Sequence, residues 1–410
     1  MMKFFVESLT KGVPRIGYIA ELKGKPNVTI PTPMVILHTQ GGQVPHITHE
    51  VLKLVNNNPH ILQIPLVSVY NFKEAIDYFD GAINEFIGSE ESICCITLQD
   101  PSNLTQQGHH AKGKVPIWTK NGKVYFDSKT YMDTISSCMP DMYHLLSDGD
   151  TNLSSPQKRL TKAVDNTISF HKECLEIHRN CEELKHSLII APIAGGYSIP
   201  HRKRCLDSLL KDDEDIGGYL IDGLHNNGPE VEFLTFMDIQ PVMEFLIRNL
   251  PPQKIRAVQG CWNPLVVIKL VKSGVDMFDT SYCRMLTERS AAMTFPIDDT
   301  EESLSYEINL RQLRYIDDFQ PILHGCQCTA CLKYSRGYIH HLLSVQELLG
   351  PVLIMIHNIH HYLRFFEKLR ECIANDTLDQ LELSMEAHFR RYQQEMLLPQ
   401  KEPVVSDSVF

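Results

Sequence analysis

Ser187-Leu-Ile-Ile-Ala-Pro-Ile193 is a short apolar run, and His201–Leu210 after it carries apolar residues at helical spacing. The couple then repeats. Gly218-Tyr-Leu-Ile221 precedes Asp238–Asn249, Ile255-Arg-Ala-Val258 precedes Pro264–Ser273, and Val275-Asp-Met-Phe278 follows. Short continuous apolar runs suit strands buried on both faces, while i, i+3, i+4 spacing suits helices packed along one stripe. Strands that alternate with helices pair in parallel through right-handed crossovers.

The same texture holds upstream. Leu62–Val69, Ile93–Leu98 and Met142–Ser147 read as strands, with Val51–Val55 and Phe72–Ile87 as helices. Pro156–Arg179 reads as a long helix, opened by Ser155 as cap with Pro156 at its first position. The Gly/His/Lys-bearing segment 105–123 reads as irregular. Seven strands are visible in this way, and about eight strand–helix units in one domain favour closure. The expected fold is therefore α/β, a (β/α)8 TIM barrel with its eighth strand assumed; pattern alone leaves an open doubly wound sheet as the alternative.

Three runs rich in Phe, Val and Ile precede the alternation: Met2–Ser8, Arg15–Leu22 and Val28–His38. Broken by Gly and Pro, they read as an antiparallel lid. The expected organisation is an N-terminal antiparallel region over 1–48, a barrel body over 49–295 and a linker over 296–320 that carries Asp298, Asp299, Glu301 and Glu302. A zinc-binding and helical module spans 321–398, and a frayed tail follows over 399–410.

The chain has 410 residues, 43% of them apolar and 22% charged, with a formal net charge of −11. That balance is ordinary for a globular protein and does not suit a surface that binds polyanions everywhere. Twelve cysteines, with Cys94 and Cys95 adjacent in an apolar run and Cys138, Cys174, Cys205 and Cys372 scattered, form no extracellular framework. The first residues lack the apolar run of a secretory signal, and no window reaches the roughly 18 apolar residues of a membrane span. The chain reads as cytoplasmic. No GxGxxG opens a helix after a strand and no GxxxxGK[ST] occurs, so phosphate-cradle cofactor sites are not expected.

Gly325-Cys-Gln-Cys-Thr-Ala-Cys331 sets three thiols within six residues. Thiolates at this spacing, away from any secretory context, suit Zn2+, which takes four ligands in a tetrahedron when its role is structural. Cys326, Cys328 and Cys331 leave one place. His340, His341, His357, His360 and His361 follow them in the chain. Leu353–Leu363 reads as a helix, and His357, His360 and His361 lie on or near one face of it, so periodicity does not choose among these three.

The run Phe319-Gln-Pro-Ile-Leu-His-Gly-Cys-Gln-Cys-Thr-Ala-Cys331, with Tyr334-Ser-Arg-Gly-Tyr-Ile-His-His-Leu342 and Ile356-His-Asn358, resembles the zinc-binding end of the tRNA-guanine transglycosylases. The resemblance covers roughly residues 28–375. It implies a (β/α)8 barrel with an inserted zinc module, and Cys326, Cys328, Cys331 and His357 as ligands of one structural Zn2+. Ser273-Gly-Val-Asp-Met-Phe-Asp279 is similar to the family segment whose last aspartate is the nucleophile, and Asp141–Asp148 to the strand ending in a base-recognising aspartate. Gly217-Gly-Tyr-Leu-Ile-Asp-Gly-Leu224 is similar to a segment beside the substrate.

The departures bear on activity. Where active members carry Asp-Ser-Gly-Gly-Phe-Gln after an early barrel strand, this chain is matched at Val67-Ser-Val-Tyr-Asn-Phe-Lys73, without a carboxylate. Ala194-Gly-Gly196 replaces Gln-Gly-Gly, and Thr280–Arg289 departs from Cys-Val-x-Pro-Thr-Arg. Base exchange at a ribose needs an attacking carboxylate and a second group to shuttle protons, so Asp279 reads as vestigial. The pattern resembles the family's non-catalytic eukaryotic branch. That likeness implies a heterodimer with a catalytic queuine tRNA-ribosyltransferase subunit, exchanging guanine for queuine at the wobble position of GUN-anticodon tRNAs. It also implies tRNA as a partner and peripheral association with the mitochondrial outer membrane. His201-Arg-Lys-Arg204, Arg284, Arg289, Lys333 and Arg336 are candidate phosphate contacts. Two other readings stay open: a divergent active transglycosylase using Asp279 with Asp222 or Asp148, and a zinc-stabilised scaffold with no RNA role.

Overall fold

The computed structural model describes residues 2–8, 14–22, 25–109, 111–297 and 305–397, with 395–397 as backbone. The expected tail 399–410 and the acidic cluster Asp298 to Glu302 lie outside the described residues. Eight parallel strands close a barrel in sequence order: Met34–His38 (β1), Ile61–Pro65 (β2), Ile93–Thr97 (β3), Met142–His144 (β4), Leu188–Ile193 (β5), Ile216–Ile221 (β6), Ile255–Ala257 (β7) and Met277–Asp279 (β8). β8 pairs back onto β1 through Met277–Met34, Phe278–Val35 and Asp279–Ile36. The assumed eighth strand is therefore β1.

β1 was hidden inside Val28–His38, which the sequence presents as one antiparallel run. The structure divides it at Pro33. Ile30–Thr32 pairs antiparallel with Ile16–Ala20, and Met34–His38 enters the barrel. One barrel strand thus lies before residue 49. The three-stranded sheet of Lys3–Ser8, Ile16–Ala20 and Ile30–Thr32 is antiparallel as expected. It packs Met2, Ile19, Leu22 and Ile30 into one cluster with Met34, Ile61, Ile93, Leu188, Ile255 and Met277. Those residues begin barrel strands, so the sheet seals the bottom of the barrel and leaves the mouth to the loops. Arg15 fastens it there: its Nε donates to Asp276 Oδ1 at 2.8 Å and its Nη2 to Lys254 O at 2.7 Å.

Alternation along each strand separates two cores. In β3, Ile93 and Cys95 face the barrel interior with Met142 and Ile190, while Cys94 and Ile96 join the larger core under the helices. The predicted strand Leu62–Val69 stops at Pro65 and continues as a short helix, Leu66–Val69. Phe72–Ile87 is not one helix but Lys73–Tyr78 and Ile83–Phe86, separated by the turn at Asp80-Gly81. The irregular segment holds a hairpin, Val115–Thr119 with Gly122–Phe126. Its turn is Lys120-Asn121, and Gly122 opens the second strand at φ +110°; the Asn-Gly pair is a signal legible in the sequence.

Beyond β8 and the helix Ser281–Glu288, the chain leaves the barrel through the strand pair Ala291–Met293 and Glu307–Asn309. It then makes the helices Thr329–Lys333, Arg336–Ser344, Leu349–Ala374 and Leu378–Leu397. Helix 349–374 returns against the barrel, where Phe366 packs on Phe278 of β8 at 5.4 Å between ring centroids.

Candidate metal centre and barrel mouth

The turn at Gly325, with φ +75°, brings Cys326 and Cys328 to the start of helix 329–333. Cys328 Sγ caps that helix by accepting from Cys331 N at 3.3 Å. Opposite, the mostly buried face of helix 349–374 presents His357. Its Nδ1 lies 3.7 Å from Cys326 Sγ, 3.6 Å from Cys328 Sγ and 3.3 Å from Cys331 Sγ. All four donor atoms fall within 4.8 Å of one another. A tetrahedral ion with metal–sulfur bonds of about 2.3 Å and a metal–nitrogen bond of about 2.0–2.1 Å sets sulfur and nitrogen roughly 3.5 Å apart. The buried Cys3His group fits a metal ion.

Helix geometry separates the histidines that periodicity left equal. His357 is fully buried, and its Nε2 donates to Met293 O at 2.8 Å, which leaves Nδ1 as the lone-pair nitrogen facing the thiols. His360 Nδ1 reaches Cys326 alone, at 3.6 Å. His361 stacks on His357 with ring centroids 5.7 Å apart. His340 Nδ1 donates to Leu310 O at 2.9 Å, and His341 is exposed. Sequence reasoning missed the part played by Asn358. Its Oδ1 accepts from Met293 N at 3.0 Å, and its Nδ2 donates to Ala291 O at 3.0 Å and Thr287 Oγ1 at 3.1 Å. Asn358 thereby pins the strand whose carbonyl orients His357.

The strand C-termini meet at a second centre. Asp279 ends β8; its Oδ2 accepts from Gly260 N at 2.9 Å and its Oδ1 from Ser281 N at 2.8 Å. Burial pushes its carboxyl up against those hydrogen bonds. Asp148, beyond β4, is chelated by Arg159 and accepts from Asn166 Nδ2 at 2.8 Å. Asp222, directly after β6, accepts from Ser147 Oγ at 2.9 Å and from Gly223 N at 2.7 Å, and burial pushes its carboxyl up.

A fourth carboxylate corrects the sequence comparison. Val67–Lys73 lies in helical turns after β2 and carries no acid, but the loop after the next strand supplies one. Asp100 stands just past β3. It accepts from His38 Nε2 at 2.8 Å, Ser102 Oγ at 2.6 Å, Ser102 N at 2.9 Å and Asn103 Nδ2 at 2.8 Å. Burial opposes its ionisation, but the hydrogen bond and charge of His38 and the bonds from Ser102 hold it well below the usual carboxylate range. A carboxylate just past an apolar strand, in Leu98-Gln-Asp100, was the available signal.

The mouth has little room. The cavity lined by His144, Asp148, Asp222, His225 and Gln259 measures about 60 Å³. Small-molecule sites run to roughly 300 Å³ or more, several times this volume. The basic residues proposed for phosphate are largely committed elsewhere. Arg202 is buried on backbone carbonyls, Arg284 lies against Asp100, and Arg289 bridges Glu232 and Glu307. Arg336 pairs with Asp318, Lys203 with Asp207 and Arg204 with Asp165. Lys333 is exposed.

A closed (β/α)8 barrel with a Cys3His cluster on a C-terminal module is the architecture expected of a tRNA-guanine transglycosylase. The queuine tRNA-ribosyltransferase family model matches residues 11–391, and the chain belongs to that family. It is 36% identical over 383 residues to the queuine tRNA-ribosyltransferase accessory subunit 2 of Aedes aegypti, covering 93% of this chain and 91% of that protein. It is 36% identical over 384 residues to the Anopheles gambiae protein of the same description, covering 93% and 89%. The Drosophila melanogaster protein so described is 34% identical over 388 residues, covering 93% and 91%.

Proposed function

We propose that this chain is the non-catalytic subunit of a heterodimeric queuine tRNA-ribosyltransferase. It supports a catalytic subunit that exchanges guanine for queuine at the wobble position of GUN-anticodon tRNAs. One contrast carries the reading: the metal cluster is complete, while the mouth of the barrel is nearly filled. Asp100, Asp148, Asp222 and Asp279 are each held by neighbouring donors, and the cavity of about 60 Å³ is small against the roughly 300 Å³ or more of small-molecule sites. The relatives described as accessory subunits support the same assignment.

The ion in the cluster is zinc, held by Cys326, Cys328, Cys331 and His357. Four protein ligands leave no position for water, so its role is structural. The exposed apolar side chains Phe319, Leu332, Tyr338, Val345 and Leu348 support docking of the catalytic partner on the C-terminal module. Most of the basic residues named for phosphate are paired within the chain, which supports a partner that carries a large share of the phosphate contacts. The chain is cytoplasmic, and its association with the mitochondrial outer membrane is peripheral. Among the described residues no helix is long and apolar enough to cross a membrane.

Asp100 favours a second reading, a divergent enzyme. His38 donates to Asp100 and acts electrostatically on Asp279, so two carboxylates share one histidine. Single-turnover incorporation of labelled base into tRNA separates the two readings, using this chain alone, the catalytic subunit alone and the mixture. Turnover only in the mixture is the expected result. Turnover by this chain alone, lost in Asp279→Asn, overturns it.

A further inference from the structure

Between Asp100 and Asp127 the chain has no acidic residue, although it holds 50 of them in all and carries a net charge of −11. The same stretch carries Lys112, Lys114, Lys120 and Lys123. It contains the hairpin of Val115–Thr119 with Gly122–Phe126, which pairs Pro116 with Tyr125 and Trp118 with Lys123. Side chains alternate across a strand, so the ribbon has two unlike faces. Val115, Ile117 and Phe126 lie on one face and are buried. Pro116, Trp118, Lys123 and Tyr125 make the other. There Lys123 Nζ stands 5.5 Å from the Trp118 ring centre and 5.1 Å from that of Tyr125. His109 packs edge-on against Trp118, with centroids 4.8 Å apart. All four lysines are exposed. Among the described residues only Lys114 of the four has a carboxylate partner, Asp127 Oδ2 at 3.4 Å. The ribbon rises from the rim of the barrel mouth: Val115 and Pro116 line the cavity there with Leu98 and Gln99, and Gln99 Nε2 donates to Pro116 O at 3.3 Å.

We infer that this ribbon is an RNA-binding surface, with Lys112, Lys120 and Lys123 on phosphates and the Trp118–Tyr125 face against an unpaired base. Lysines hold a polyanion through its phosphates without reading sequence. Half-buried rings beside them offer a platform on which any base stacks. The ribbon's apolar side chains are turned inward, and its tip, Lys120-Asn121, is polar. Nothing at the tip enters a lipid layer, which sets RNA above an anionic membrane as the partner. The inference rests on the proposed function in taking that RNA to be tRNA. It places this chain's free cations on one ribbon, while Arg202, Arg284, Arg289 and Arg336 are committed internally.

The test is binding of a transcribed GUN-anticodon tRNA to the full chain mixed with the catalytic subunit, at salt from about 50 to 200 mM. One variant exchanges Lys112, Lys120 and Lys123 together for Gln. A control exchanges three exposed lysines elsewhere, Lys172, Lys203 and Lys211, for Gln. The ribbon variant is expected to bind about tenfold or more weakly and to lower the slope of log affinity against log salt by about 2–3, with its melting temperature unchanged. The control is expected to bind as wild type. Trp118→Leu and Tyr125→Leu are expected to weaken binding and leave the slope as it is, because a stacked base carries no counterion. Unchanged affinity and slope in the ribbon variant overturn the inference. So does an equal loss in the control, which would make net charge the cause. Two ring variants that bind as wild type overturn the stacked base. Wild-type binding to phosphatidylglycerol vesicles, lost in the ribbon variant while tRNA binding persists, overturns the inference in favour of a membrane. If the mixture turns over and the ribbon variant binds tRNA as wild type, this inference fails and the proposed function stands. If the chain alone turns over and the ribbon variant loses tRNA, the proposed function fails and the inference stands.

Discussion

His357 turns Nδ1 to three thiols and Nε2 to the carbonyl of Met293. That division of one imidazole is the residue-scale reason His357, not its neighbours His360 and His361, completes the cluster. Thiolate ligands so placed couple metal binding to local folding, because the unfolded chain has no preformed site. Cys328 also caps helix 329–333 through Cys331 N. Cys328→Ser is therefore expected to lose the bound ion and lower the melting temperature. The hydroxyl is a poor ligand even where it keeps the cap. Metal content by elemental analysis, alongside melting, checks this; a variant that keeps both unchanged would sink the assignment.

A single helix joins the cluster to the barrel. Helix 349–374 carries His357 and Asn358 buried, and a little over two turns later Phe365 and Phe366, also buried. Phe365 meets Phe295 edge-on at 5.3 Å, and Phe366 reaches β8. Asn358 stitches this helix to the strand Ala291–Met293. Removing its amide orphans two buried partners, the Met293 N–H and the Ala291 carbonyl, while the Thr287 hydroxyl keeps its bond to Cys283 O. Asn358→Ala is expected to cost at least about 2 kcal/mol, since each orphaned buried group costs roughly 1–3 kcal/mol. Urea unfolding of the metal-loaded protein measures it, and a loss below about 1 kcal/mol would show that water replaces the amide without penalty.

At the scale of the whole molecule, burial sets the response to acid. His144 and His171 have their imidazoles pushed down to about 3 by burial, and His225 to about 4. In the unfolded chain the same groups take up protons below about 6.5. The unfolded state thus binds more protons between those limits, so stability is fully present above about pH 6.5 and is lost as the pH falls toward 4. Each group contributes a slope of up to about 1.4 kcal/mol per pH unit in that window. The urea midpoint is expected to drop steadily from pH 7 to pH 5. A flat midpoint would mean that these rings are not buried neutral.

Much of this protein is written locally. Strand–helix alternation from Leu62 to Phe278 announces a parallel α/β fold, and Cys326, Cys328 and Cys331 announce a metal, because period and spacing are properties of neighbours along the chain. The resemblance in Ile356-His-Asn358 singles out a histidine. Closure was different. β1 is half of a run that looks antiparallel, and only its pairing with β8 makes a barrel of an open sheet. The state of the mouth was also beyond the sequence. Asp100 looks like any loop acid until His38 and Arg284, far from it in the chain, fold against it. Asp222 looks like one exchanged residue in a glycine-rich segment until Gly149 and Ser147 fix it in the cavity. Whether a carboxylate is a catalyst or a strut depends on the donors that distant segments bring to it, and only the tertiary structure decides that.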